Sequence, residues 1–324
     1  MPKLSRPVLL FLKGVFSAIA MGGLIAGIDW RQVPDSIVGY RWEFAVAAFI
    51  GLMIQFPISG LKWHAALRLC NVDLSFTRLT RFYCISHFVG QFLPTSIGGD
   101  AYRVYRVLPL VEPRSRAVTS ILIDRIVGLA ALLLLGAAGA LFLLDHFTLP
   151  RGYLTLLAAG GTAALLVAAA MYLGWFGFMG KRLQRLKLVA AIRADILLLV
   201  RAGWNWLPLI IMAFVFQLIA VEIVHLLFVG AGSTIGFAEV CLIAAIAGIA
   251  GIFPLAINGI GITEGTITLA GVAVGADYED AAVAAVLLRI AVLPLSCACG
   301  VLYWREPHQL APVRLHERSP TRRS

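Results

Sequence analysis

The chain has 324 residues, of which 60% are hydrophobic and only 14% charged. That leaves too little polar surface to cover a soluble globule of this size, which excludes a water-soluble enzyme or binding module and indicates an integral membrane protein. The formal net charge of +10 does not point to nucleic acid, because the basic residues fall in short gaps between apolar runs and lack aromatic interleaving.

Apolar stretches long enough to span a bilayer occur at about 8–28, 43–61, 118–144, 154–176, 205–229 and 281–303, predicting six crossing helices. The first resembles a signal peptide only weakly, and its full spanning length favours an uncleaved helix. Two further stretches, 82–108 and 238–276, are interrupted by clusters running from Pro94 and Pro254 into glycines. Each reads as a re-entrant hairpin of two half-helices, tolerated at membrane depth only where protein or a watery cavity satisfies the broken backbone. Residues 181–203 alternate basic and apolar positions and read as an amphipathic helix on the inner surface. The tail 306–324 is basic and polar, predicting a disordered cytoplasmic segment. The cysteines Cys70, Cys84, Cys241, Cys297 and Cys299 show no metal or disulfide spacing and read as small apolar residues.

The chain also repeats itself. Asp100 is followed by Arg125 at the same distance as Glu264 by Arg289, and the shift of 164 that relates them also places Gly136 on Gly300. Re-entrant hairpins put most of the 27 basic residues on one face, including Lys62, Arg103, Arg185 and the C-terminal arginines, while the acidic loop Asp277–Asp280 falls opposite. The positive-inside rule then predicts cytoplasmic N- and C-termini. The expected architecture is all-α: six spanning helices plus two re-entrant hairpins, arranged as inverted-topology repeats over 1–148 and 149–305.

Arg125 and Arg289 lie roughly 10 Å or more inside their predicted helices. An arginine facing lipid there costs about 2.5–3.5 kcal/mol, so each needs a partner, and Asp100 and Glu264 are the natural ones. One reading is two structural ion pairs that tie each hairpin to the next helix. The other is an anion site for a phosphate head group, built from the two arginines and the half-helix N-termini at Gly98, Gly99, Gly259 and Gly261. Asn258 lies in the second break, where its amide is available to stranded backbone groups. Asp124 points away from Arg125, toward Arg103 or Arg106. Glu222 and His225 share a helix face and read as polar packing against the broken hairpin, or as a proton or substrate contact. No further ligands accompany them, so no metal site is expected, and no cofactor-binding or nucleophile motif appears in context.

The segments Gln91-Phe-Leu-Pro94-Thr-Ser-Ile-Gly98-Gly99-Asp100-Ala-Tyr-Arg103 and Phe253-Pro254-Leu-Ala-Ile-Asn258-Gly259-Ile-Gly261-Ile-Thr-Glu264-Gly265, with Glu222 and Leu287-Leu-Arg289, resemble a flippase-like membrane family. That family includes the transmembrane region of lysylphosphatidylglycerol synthase. The resemblance covers about 8–305, with Asp100 standing where the family commonly has Glu. It implies movement of a lipid between leaflets, often an aminoacylated or glycosylated one. No segment after Arg305 is long enough for the soluble aminoacyl-transferase domain of its best-known members.

The expectation is therefore a non-enzymatic lipid transporter of the cytoplasmic membrane, handling a phospholipid or lipid-linked sugar. Two alternatives stand beside it: a non-catalytic subunit assisting a lipid-linked glycosyltransferase or aminoacyl-lipid synthase, and an intramembrane lipid-modifying enzyme using Glu222, His225 and Asp100.

Overall fold

The computed structural model describes residues 38–92, 98–143, 202–252 and 257–305, together with scattered positions within 15–27 and 191–199. Among these residues every regular element is helical. Four helices are long and apolar enough to cross a membrane: α1 (Trp42–Leu69), α4 (Ser115–Leu143), α5 (Leu207–Gly230, entered through a 3₁₀ turn at Gly203–Trp206) and α8 (Tyr278–Trp304). The protein is a multi-pass membrane protein. Of the other two expected spans, 8–28 is described only at scattered positions and 154–176 lies outside the described residues, as do most of 181–203 and the tail.

Large apolar side chains recur on the outer faces, Val46, Ile50 and Met53 on α1 and Ile290 and Leu293 on α8. Their spacing of three and four residues places each set on one helical stripe, as lipid-facing residues require. α1 runs past its predicted end at residue 61 because Lys62, the first polar residue beyond it, is buried and paired rather than solvated.

The two interrupted stretches are broken helices. α2 (Phe76–Phe92) precedes α3 (Gly98–Val107), and α6 (Phe237–Ile252) precedes α7 (Ile262–Ala273). At 17, 10, 16 and 12 residues, none reaches the roughly 20 that a helix needs to cross a bilayer. The arms of each pair pack on one another. α2 and α3 meet at glycines: a Cβ on Gly99 would come within 2.7 Å of the Ser86 carbonyl oxygen. The first element starts at Phe76 rather than 82, so its opening turns include Arg78 and Arg81.

α1 and α5 pack along their lengths and run antiparallel. The backbone N–H of Arg41, just before α1, donates to the carbonyl of Gly230 at the end of α5 at 2.9 Å. At mid-length Gln55 Nε2 donates to the Phe216 carbonyl at 3.4 Å. The turns that follow the two helices have the same construction. After α1, the N–H groups of Cys70, Asn71 and Val72 bond to the carbonyls of Ala66, Arg68 and Leu67; after α5, those of Ala231, Gly232 and Ser233 bond to Leu227, Val229 and Phe228. Asn71 (φ 54°) and Gly232 (φ 95°) hold the matching left-handed positions.

α4 packs antiparallel on α6 and α8 on α2, each closely through a glycine. A Cβ on Gly136 would collide with the Ala245 methyl, and one on Gly300 would lie 2.7 Å from the Phe88 ring. One apolar cluster surrounds Trp63, Leu67, Leu79 and Ile121, and a second surrounds Phe228, Leu242, Ile243 and Ala285. The end of α2 meets the turn that leads into α7. Gln91, near the end of α2, accepts a hydrogen bond from Asn258 Nδ2 and donates to Ser296 Oγ of α8 at 3.2 Å.

Candidate functional site

A cavity of about 410 Å³ opens between the end of α2, the start of α3 and the start of α7. Its wall combines residues of both broken helices and of the long helix after each. Gln91, Gly99 and Asp100 come from the first broken pair and Arg125 from α4; Asn258 and Glu264 come from the second and Arg289 from α8. Both repeated acid–arginine pairs therefore face one space.

Each acid occupies the third residue of its half-helix, Asp100 in α3 and Glu264 in α7. A carboxylate in the first turn complements the positive end of the helix dipole. Glu264 also reaches back to cap its helix, accepting from the Gly261 N–H at 2.7 Å. Gly259 (φ 70°) and Gly261 (φ 84°) supply left-handed backbone that leads the chain into α7 at that angle.

In the first pair, Arg125 grips Asp100 with two parallel bonds, Nε to Oδ2 at 2.7 Å and Nη2 to Oδ1 at 2.9 Å. The Arg125 side chain is 61% exposed, against 12% for Asp100. Behind it runs a buried chain of charge. Arg103 Nη1 donates to Asp100 Oδ1 at 3.2 Å, and its Nη1 and Nη2 donate to Asp124 Oδ2 at 3.2 and 3.1 Å. Lys62 Nζ lies 3.3 Å from the other Asp124 oxygen. The Arg103 guanidinium lies over the Trp63 and Tyr83 rings at 4.2 and 5.3 Å, and Lys62 over Phe216 at 4.7 Å. Such aromatic faces compensate cations removed from water.

The second pair is simpler. Arg289 Nε bonds Glu264 Oε1, with the arginine side chain 20% exposed and the glutamate 3%. The position matched to Arg103 by the 164-residue shift is Ile267, and the one matched to Asp124 is Leu288. Lys62, Arg103 and Arg125 outnumber Asp100 and Asp124, whereas Arg289 and Glu264 balance. Together the two groups carry one positive charge in excess, a polarity suited to an anion.

The structure brings together Asp100, Arg125, Glu264, Arg289, Asn258 and Gly99. Gly98 is buried in the first turn of α3, while Gly259 and Gly261 shape the entry to α7 without lining the cavity. The Asn258 amide donates to Gln91 Oε1, which ties the turn before α7 to the end of α2; the backbone of the second break at 253–256 lies outside the described residues. Glu222 and His225 lie on α5 away from the cavity. They pair with each other at 3.4 Å, and His225 stands edge-on to Phe237. Asp124 meets Arg103, one of its two expected partners. Sequence reasoning missed Lys62 as the third member of that group, although a lysine ending an apolar run was the available signal. It also missed Gln91 as the link between interruptions.

Among the described residues no cluster of metal-ligating side chains occurs. The family described as the lysylphosphatidylglycerol synthase TM region matches residues 10–300, nearly the whole chain, and the protein belongs to it. No curated protein matches the chain.

Proposed function

For a membrane lipid-related protein of this family, we propose a non-enzymatic transporter that carries an anionic lipid head group between leaflets through the cavity between the two broken helices. The observation that carries this reading is the single cavity shared by both repeated acid–arginine pairs. It has an excess positive charge and a volume of about 410 Å³, within the usual range for small-ligand sites. The head group would sit among the polar groups while its hydrocarbon tails stay in the bilayer.

The architecture supporting that passage is two inverted halves of three spanning helices and one re-entrant hairpin each. Supporting it are the antiparallel packing of α1 on α5, the repeated turns after them, and the contacts of α4 with α6 and α8 with α2. Alternating exposure then follows from rocking one half against the other about the α1–α5 contact. The distribution of Lys and Arg supports six spans in a cytoplasmic membrane with both termini inside.

The test is leaflet exchange of fluorescent phosphatidylglycerol and of extracted native lipids in proteoliposomes. Exchange by wild type that is lost in a folded Arg125→Gln variant is the expected result. Absence of exchange for every native lipid, with protein verified as folded and inserted, refutes autonomous transport. It would move the reading to a membrane subunit that serves a lipid-modifying enzyme.

A further inference from the structure

The two repeated ion pairs differ in what remains when the arginine departs. Asp100 keeps a second cation, because Arg103 Nη1 lies 3.2 Å from one of the oxygens that Arg125 grips. Arg103 lines the wall of the cavity, but its side chain is 1% exposed and fixed by Asp124, so it holds Asp100 in place. Glu264 has no such reserve: among the described residues its ion pairing is confined to Arg289, and its other oxygen takes the Gly261 N–H. Lifting Arg289 away strands a carboxylate that is 3% exposed, whereas lifting Arg125 leaves Asp100 paired.

Exposure follows the same division, 61% for the Arg125 side chain and 20% for Arg289. The two Arg125 bonds to Asp100 use the guanidinium fork that also matches two oxygens of a phosphate. Exchanging Asp100 for a phosphate therefore swaps one bidentate oxyanion for another, while Arg103 neutralises the carboxylate left behind.

From this we infer that the repeated arginines have divided roles. Arg125 leaves its carboxylate to bind the phosphate of a lipid head group, and Arg289 stays on Glu264 as a bolt between the second hairpin and α8. The inference rests on the lipid-transport reading and assigns its binding step to one half of the molecule.

The experiment measures thermal unfolding of the full chain in detergent, with and without dihexanoylphosphatidylglycerol. Dihexanoylglycerol and inorganic phosphate serve as controls. Wild type is stabilised by the phospholipid more than by either control. Arg125→Gln keeps its unliganded midpoint within about 2 °C of wild type and binds the phospholipid at least about tenfold more weakly. Arg289→Gln lowers the unliganded midpoint by roughly 5 °C or more. The double variant E264Q/R289Q recovers most of that loss and binds at least about tenfold more tightly than Arg125→Gln.

Phospholipid affinity of Arg125→Gln within about threefold of wild type overturns the inference, as does destabilisation equal to that of Arg289→Gln. Equal stabilisation by inorganic phosphate overturns the lipid assignment. Wild type that exchanges lipid in vesicles but binds through Arg289 refutes the division of roles and leaves transport standing. Wild type with neither exchange nor phospholipid binding refutes both.

Discussion

Replacing Asp124 with asparagine removes the one carboxylate that holds both Lys62 and Arg103, without changing side-chain size. The three side chains are 3%, 10% and 1% exposed, so water cannot take its place. Breaking a buried pair costs about 3–5 kcal/mol. Three contacts offset part of this. Arg103 retains Asp100 at 3.2 Å and the Trp63 face at 4.2 Å, and Lys62 retains the Phe216 ring at 4.7 Å; cation–π contacts contribute about 0.5–2 kcal/mol each. The asparagine oxygen still accepts one hydrogen bond, leaving a net loss of about 2–4 kcal/mol. Unfolding in detergent followed by circular dichroism should show a midpoint lower by roughly 5–15 °C. The triple variant K62I/R103I/D124L provides the second arm. It copies aliphatic residues that the chain carries at the matched positions Ile223, Ile267 and Leu288, where α5 is matched to α1 by the 161-residue offset of their turns. Replacing a buried charge network by packed apolar side chains is neutral to stabilising, so the triple variant should be within about 2 kcal/mol of wild type. A D124N midpoint within about 2 °C of wild type, or a triple variant less stable than D124N, refutes the view that these charges are desolvated and mutually dependent.

Gly136→Val should destabilise the protein by about 1–3 kcal/mol in the same unfolding assay, because even its Cβ collides with Ala245 and α4 must move off α6. Oxidation of the Q91C/N258C variant, with the five native cysteines replaced by alanine, should cross-link the interruptions; rapid cross-linking monitored by the migration of protease fragments tests the direct Gln91–Asn258 contact. The E222Q/H225N variant should exchange lipid in proteoliposomes at a rate within about twofold of wild type, since that pair lies on α5 outside the cavity; loss of exchange with retained folding would bring α5 into the transport path.

Much of the fold was legible because the bilayer imposes a coarse rule on composition. The runs 43–61, 118–144, 205–229 and 281–303 emerge as α1, α4, α5 and α8, and the proline–glycine clusters fall at the interruptions between α2 and α3 and between α6 and α7. The acid–arginine spacing was legible for a related reason. An arginine at that depth needs a partner, and twenty-five residues joins the first turn of a half-helix to the interior of the next long helix. Glu222 and His225 share a helix face, and His225 stands against Phe237 at the start of α6, as packing on the broken hairpin requires, but that face does not line the cavity because its direction depends on neighbouring helices. Lys62 was hidden for the same reason, since its partner lies 62 positions away on α4. Gln91 and Asn258 are separated by 167 residues, and only the tertiary packing of the turn before α7 on α2 makes them neighbours.

The difference between the halves was written in the same shift that revealed their likeness. Moving 164 residues along turns Asp100 and Arg125 into Glu264 and Arg289, which preserves charge and reach. The same step turns Arg103 into the buried Ile267 and Asp124 into the partly buried Leu288, which removes both charges. Backbone turns, packing glycines and acid–arginine pairs appear twice, as the proposed inverted halves would each require to lodge a broken helix. Among the described residues the Lys62–Asp124–Arg103 network has no counterpart at the positions matched to it, which carry Ile223, Leu288 and Ile267. On the division of roles inferred above, the network supplies the second cation that lets Arg125 be released, since Arg103 stays 3.2 Å from Asp100 while Glu264 keeps only Arg289 among the described residues.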